Sequence, residues 1–468
     1  LVTIQETELK EGILKAIERA KALSKPVLVS EVQEINHIEP LTFFAAGHEP
    51  FLGERFFWKD PADETFIIGL GICKQIQSDQ AADRFFLVEE EWKNFIKDGI
   101  INNPFHLNGI GPLMFGGFSF DPYKEKTKLW SKYSDSLFHI PKFMYSEING
   151  RSFFTTNIVC TQHDDLSLAE AVQKERRTIF TALAADTYQE KYELINENEI
   201  NPDQWKDTVA AVVNELKQGE LNKVVLARET RLHFSQSIQL EQVLMNLFKL
   251  QRESFIFAFE SNGDCFIGAS PERLVKKSGS SFFTTCLAGS IARGKTDEED
   301  RLLGDTLLAD PKNIIEHEYV VRMIKEAMEE VCDEVTMPSK TQLLKTRDIQ
   351  HLYTPVTGKA KKDTSLLLLV DRLHPTPALG GLPKEKAVEK IREVEELDRG
   401  FYGAPLGWVD YKGNGEFAVS IRSGLIQGDE ASLFAGCGVV EDSNPESEYI
   451  ETKIKFRPML TALGGSNQ

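Results

Sequence analysis

Glu448, Glu451 and Lys455 fall at i, i+3 and i+7 in the stretch FAGCGVVEDSNPESEYIETKIKF, residues 434–456. On a helix that spacing puts two carboxylates and an ammonium along one face. Carboxylates on adjacent turns suit a hard divalent cation, and a lysine one turn further on suits a bound carboxylate. Gly436 and Gly438 would let backbone N–H groups approach such a ligand closely. Ser443, Asn444 or Ser447 can cap the helix start. The competing reading is an exposed helix with a simple i,i+4 Glu451–Lys455 pair.

Further along the argument, but earlier in the chain, single residues stand out by context. Lys223 sits inside KVVLAR, an apolar strand-like run after a tight turn. It is either an edge lysine reaching for water or an amine in a pocket, where burial lowers its pKa and lets it act as a base. Glu272 follows Gly268-Ala269-Ser270-Pro271, and faces whatever that turn faces. Glu316 lies beside His317 near the start of a helix opened by Pro311, where the helix dipole favours an anion. His351 stands in the loop-like RDIQHLYTPVTG. Arg422 ends the alternating run FAVSIR, and its planar fork can grip a carboxylate or a cross-strand acid. In HPTPALGG, residues 374–381, two prolines and two glycines fix a backbone shape of the kind found beside ligands.

The elements that must position these residues are helices among short β-runs. Apolar periodicity predicts helices over Glu6–Leu23, Asp83–Ile96, Leu166–Ala185, Pro202–Lys217, Pro311–Val331 and Lys384–Leu397. Strands are predicted in the first half at Val27–Val32, Pro50–Lys59, Glu64–Cys73, Gly111–Phe120, Phe138–Ser146 and Ser152–Val159. In the second half they fall at Lys223–His233, Phe255–Ser261, Cys265–Ala269, Arg273–Lys277, Ser281–Leu287, Phe401–Asp410, Glu416–Ile426 and Ser432–Gly436. Asn149-Gly150 and Asn262-Gly263 are hairpin turns. The polar stretch Tyr192–Asp203 reads as a seam between two halves, with Asn201 as a helix N-cap and Pro202 at the first helical position. The tail Gly464–Gln468 reads as frayed. Without β-α-β alternation or a G-x-G-x-x-G after a strand, a dinucleotide-binding fold is excluded in favour of an antiparallel α+β arrangement.

Composition narrows the partners. A formal net charge of −18 leaves no basic surplus for a nucleic-acid backbone. The longest apolar run, Leu366–Val370, is too short to cross a bilayer. The opening LVTIQETELK lacks the pattern of a secretory signal. Cys73, Cys160, Cys265, Cys286, Cys332 and Cys437 show no C-x-x-C spacing, so reduced thiols in a cytoplasmic protein are expected.

Read together, the blocks KVVLAR, GASPERL, LAGSIARG, DPKNIIEHEYVV, HPTPALGG, FYGAPLGWVD, FAVSIRS and GCGVVEDSNPESEYIETKIK follow one another between Pro202 and Phe456. In order and spacing they resemble the chorismate-binding enzymes, and within that family the isochorismate synthases. The first half agrees more loosely, through ERFFWKD (Glu54–Asp60) and FGGFSFDP (Phe115–Pro122). The resemblance implies a single large α+β unit, two packed antiparallel sheets with helices outside. Residues 1–195 would form an N-terminal half of it and residues 196–464 the chorismate-binding half.

It also implies roles. Mg²⁺ would be held by Glu316 and Glu451, with Glu448 acting through water. Arg422, Lys455, Tyr402 and the amides around Gly436 and Gly438 would hold substrate carboxylates. His351, Ala378 and the Leu287–Ser290 segment, including Gly289 and Ser290, would line the ring. Lys223 would take a proton from the water adding at C2, and Glu272 would protonate the C4 hydroxyl as it leaves. That division of labour needs a neutral lysine and a protonated glutamic acid, and burial favours both.

Relatives use ammonia with a glutaminase partner, or go on to eliminate pyruvate as salicylate synthases do. Ala378 in PTPALGG and Lys223 in KVVLAR resemble the water-using type. Isochorismate is therefore the expected product, with no obligatory glutaminase and a monomer or weak homodimer. The long first half and RFFWKD resemble the menaquinone-pathway enzymes more than those of catecholate siderophores. Phe401-Tyr402-Gly403-Ala404-Pro405 departs from the family's Tyr-Ala-Gly-Pro or Tyr-Ser-Gly, with little consequence expected. Two rivals remain: a non-catalytic carboxylate-binding relative, which would lack Lys223 or an acidic ligand, and a Mg²⁺-dependent hydrolase, which would need a tighter Asp/His cluster.

Overall fold

Strand Ser136–Ile148 is the branch point of the architecture. Its early residues pair with Leu113–Phe118, its later ones with Arg151–Cys160, and Thr65–Ser78 runs along its other edge. The computed structural model describes residues 6–184, 192–345 and 349–465. From the branch, one arm runs outward through Arg55–Lys59, Phe255–Ser261, Asp264–Ser270, Ser423–Gln427, Glu430–Val439 and Lys223–Phe234. The other runs through Leu113–Phe118, Pro405–Asp410, Gly415–Val419, Arg273–Ser278, Ser281–Ala292 and Ile349–Ala360. Both arms take strands from both halves of the chain. Among the described residues pairing is antiparallel except where Val27–Ile35 meets Ile100–Asn102.

The arms pack face to face on an aromatic core. Phe56 of one stacks on Phe115 of the other with centroids 4.4 Å apart, and Phe257, Phe259, Phe266, Leu406 and Trp408 complete the layer. Helices cover the outer faces. Leu240–Leu250 and Pro445–Ala462 lie against the first arm, while Glu6–Leu23 covers Val27–Ile35 and Arg151–Cys160 and Ser167–Ala182 packs beside it. Arg84–Ile96, Pro311–Val331 and Leu366–Leu373 lie against the second. The fold is thus the two-sheet α+β unit that the resemblance implies. Among the described residues no helix is long and apolar enough to cross a membrane. All six cysteines are free thiols.

Local chemistry explains several boundaries. Asn149 and Gly150 both take positive φ, as a two-residue hairpin demands. Asp310 accepts from the amides of Lys312 and Asn313, and Pro311 follows at the first helical position.

Other boundaries correct the sequence reading. The polar seam contains an edge strand, Leu194–Glu199, paired to Lys223–Phe234; charged edge residues hid it. Asn201 starts its helix in a left-handed conformation with no side-chain cap, its amide bonding Glu396 instead. Helices Leu240–Leu250, Asp297–Ala309 and Leu366–Leu373 were not foreseen. Phe401–Ala404 is a turn ahead of its strand, and Glu416–Ile426 breaks in two at Arg422, which adopts φ +52°. The helix expected to reach Ala185 ends at Ala182, with 185–191 outside the described residues, as is 466–468 of the tail.

Candidate active site

Lys223 opens the strand Lys223–Phe234, and its residue is only 7% exposed. Its amine donates to Glu316 Oε1 at 2.5 Å. Burial alone would raise the Glu316 carboxyl, but Lys223 beside it holds it below the usual range. Gly438 lies across the ladder. A Cβ there would stand 2.5 Å from Lys223 Cε and 3.1 Å from Nζ, so the missing side chain is the space the lysine occupies. That is a different use of Gly438 from amide exposure. The neighbouring strand Ser423–Gln427 pairs with this one no further than Phe434. Gly436 and Gly438 in Glu430–Val439 therefore also sit where, among the described residues, that edge has no strand partner.

Glu272 is held by its own backbone. Its amide donates to Ser270 Oγ at 3.2 Å and its carbonyl accepts from Val419 at 3.0 Å. The residue is 8% exposed, and burial pushes its carboxyl up to about 7 against the pull of Lys223, Lys455 and Arg422. Glu272 thus lies within electrostatic reach of all three cations.

Arg422 stands in the strand break, its carbonyl accepting from Ala269 at 3.1 Å. Burial lowers its pKa, offset in part by Tyr402, Glu451 and Glu272. Left-handed backbone at a non-glycine residue is costly and is a recurrent mark of functional positions. Tyr402 packs its ring on Phe434, and burial raises its phenol.

On the other arm, Ser290 pairs with His351 across a bulge at Ala288 and Gly289, and Ser290 Oγ lies 2.7 Å from His351 Nδ1. Burial, then Arg422 and Lys455, push the imidazole down to about 4, so it is neutral at physiological pH. Ala378 packs part-buried against the core within a tightly bound segment. There Thr376 O takes the amides of Leu379 and Gly380, Gly380 O takes that of Val225, and His374 Nε2 lies 3.0 Å from Phe120 O.

The C-terminal helix Pro445–Ala462 is capped by Asn444, which accepts from Glu446 and Ser447; Ser443 accepts from Val440 instead. Lys455 donates to Gly436 O at 2.8 Å and to Glu451 Oε1 at 2.6 Å. Glu448 lies against the Cys437 thiol. Lys455 acts on Glu316, and Glu451 on Arg422, so the two acidic helices face one space. Among the described residues no three His, Cys, Asp or Glu side chains form a ready metal group. Glu316 and Glu451 are instead each paired to a lysine, and as hard oxygen donors on facing helices they fit a magnesium ion.

Sequence reasoning passed over a buried pair, Glu395 and Arg399. Arg399 donates to Glu395, to Val225 O and to Leu379 O, while Glu395 accepts from Ala227. It ties the Lys223 strand to the segment carrying Ala378. The only signal was an i,i+4 spacing just ahead of Tyr402.

The chain is 42% identical over its full length, and over all of the relative's, to isochorismate synthase MenF of Bacillus subtilis. It is 34% identical, covering 97% of this chain and 94% of the relative, to the salicylate biosynthesis isochorismate synthase of Pseudomonas aeruginosa. The solved structure of MenF, the menaquinone-specific isochorismate synthase from Escherichia coli, superposes with a TM-score of 0.76. At 24% identity it covers 97% of this chain and 100% of that one, a likeness of fold. The profile of the family described as chorismate binding enzyme matches residues 15–464, and the chain belongs to that family.

Proposed function

We infer that the protein is an isochorismate synthase, isomerising chorismate by adding water at C2 as the C4 hydroxyl departs. The observation that carries this reading is Glu272, a buried carboxyl near three cations that still titrates at about 7. It can hold a proton at physiological pH and give it to a leaving hydroxyl. Lys223 is the proposed base for the incoming water. It must act with its amine free of Glu316, so the pair seen here parts before turnover. Arg422 and Lys455, with Tyr402 and the edge amides near Gly436 and Gly438, supply the charge and donors for two substrate carboxylates. Neutral His351, Ser290, Gly289 and Ala378 border the ring.

We assign Mg²⁺ to Glu316 and Glu451, with Glu448 through water; when bound, the ion neutralises and orients a substrate carboxylate. We read residues 1–195 and 196–464 as one catalytic unit, which the shared strands support. Menaquinone biosynthesis is the proposed pathway, supported by the full-length likeness to MenF of Bacillus subtilis. A cytoplasmic enzyme working without a glutaminase, as a monomer or weak homodimer, completes the proposal.

The test is to mix the protein with Mg²⁺ and chorismate and separate the products. Isochorismate supports the reading. Salicylate with pyruvate, or anthranilate when ammonium is added, reassigns the chemistry within the family. No consumption of chorismate overturns it.

A further inference from the structure

We propose that Arg228 is a positioning residue that sets the rotation of the C-terminal helix, and through it the aim of Glu448, Glu451 and Lys455. The inference rests on reading that helix face as the one that meets metal and substrate. Arg228 lies five residues after Lys223 on the same strand, and strand alternation sends the two side chains to opposite faces. Its guanidinium is almost wholly buried. Arg228 Nε donates to Thr452 Oγ1 at 2.7 Å, and Thr452 in turn donates to Tyr449 O at 2.7 Å. A second nitrogen donates to Glu199 at 2.7 Å, and Tyr449 OH donates to the same oxygen at 2.7 Å. The guanidinium also lies 4.4 Å from the centre of the Tyr449 ring and 5.0 Å from that of Phe456.

Tyr449, Thr452 and Phe456 form a stripe about a quarter turn round the helix from Glu448, Glu451 and Lys455. Apolar packing holds the later turns, where Phe456, Met459 and Ala462 are buried, but not the turns that carry Glu448 and Glu451. Ile450 and Ile454 are 53% and 43% exposed, while Thr452 is fully buried. The polar and cation–π grip of Arg228 supplies the missing restraint. One strand thereby presents Lys223 on one face and anchors the opposing acidic helix from the other.

The experiment uses the full chain with Arg228→Gln and, in case that variant folds poorly, Thr452→Val, which keeps the buried volume but removes the acceptor. Mg²⁺ binding is titrated by calorimetry, amide exchange is followed over residues 445–462, and kcat and KM are measured. Both variants should bind Mg²⁺ about tenfold more weakly and exchange faster over 445–462. They should regain most of kcat at saturating Mg²⁺, with Arg228→Lys intermediate. Mg²⁺ binding equal to wild type in both variants overturns the proposal, even if melting temperatures fall. Glu451→Gln is the control for the site itself. If it leaves Mg²⁺ binding unchanged, the metal assignment fails and amide exchange alone decides: faster exchange supports the clamp, and unchanged exchange overturns it.

Discussion

Two groups of side chains face each other across the site, and they are supported differently. Lys223 and Glu272 sit at strand ends, 7% and 8% exposed, with their backbones tied to neighbouring strands. Glu316 and Glu451 sit on helices, with side chains 35% and 51% exposed, each in contact with a lysine. Burial is what brings the Glu272 carboxyl to about 7, whereas Glu316 stays ionised beside its partner. Rigid, dry support suits groups whose protonation must be tuned. Wetter, ion-paired support suits carboxylates that must stay charged and exchange one cation for another.

The largest effects should come from the buried pair. Lys223→Ala and Glu272→Gln should each lower turnover by about 10²–10⁴, with chorismate binding by calorimetry little changed. Near-normal turnover in either would break the contrast at its centre. Next comes pH. The Glu272 carboxyl rises from 4.5 to about 7 on folding, so across that window the folded protein holds the extra proton. The contribution of Glu272 to stability falls as pH rises from below 4.5 through 7, by about 3 kcal/mol in total. Glu272→Gln removes this loss. Urea titrations should find it more stable than wild type at pH 8 and little different at pH 4, while wild-type kcat falls as pH rises through about 7.

The helix side should respond in metal affinity. Glu316→Gln and Glu451→Gln should weaken Mg²⁺ binding by on the order of 100-fold, read by calorimetry, while Glu272→Gln leaves it unchanged. An equal loss in all three would erase the distinction. The smallest effect is expected at Gly438→Ala, where the new methyl presses on the Lys223 stem. It should cost about 1 kcal/mol of stability and lower kcat with KM retained.

Much of this was legible in the chain because the signals are local. Asn149-Gly150 specifies its turn, Asp310-Pro311 its helix start, and E-x-x-E-x-x-x-K its helical face. What stayed hidden was set at long range. The alternation of FAVSIRSGLI runs straight through Arg422, and the break there shows only in long-range contacts, Ala269 bonding the Arg422 carbonyl and Phe434 pairing with Ser423. Leu194–Glu199 looks like a linker until Lys223–Phe234 lies beside it. Gly438 reads as a ligand glycine until a lysine from another strand is found against it. Lys223, Glu272, Glu316, His351, Arg422, Glu451 and Lys455 lie within electrostatic reach of one another, but the clamp residues Glu395, Arg399 and Arg228 carry no short signature.

The left-handed backbone at position 422 has a further consequence. Glycine would adopt it without the roughly 1–2 kcal/mol that an L side chain incurs there, and would also remove a half-buried cation from the site. Arg422→Gly is therefore expected to melt higher and to bind chorismate more weakly. Selection for heat resistance alone would drift toward that substitution, and only selection for product would hold the arginine in place.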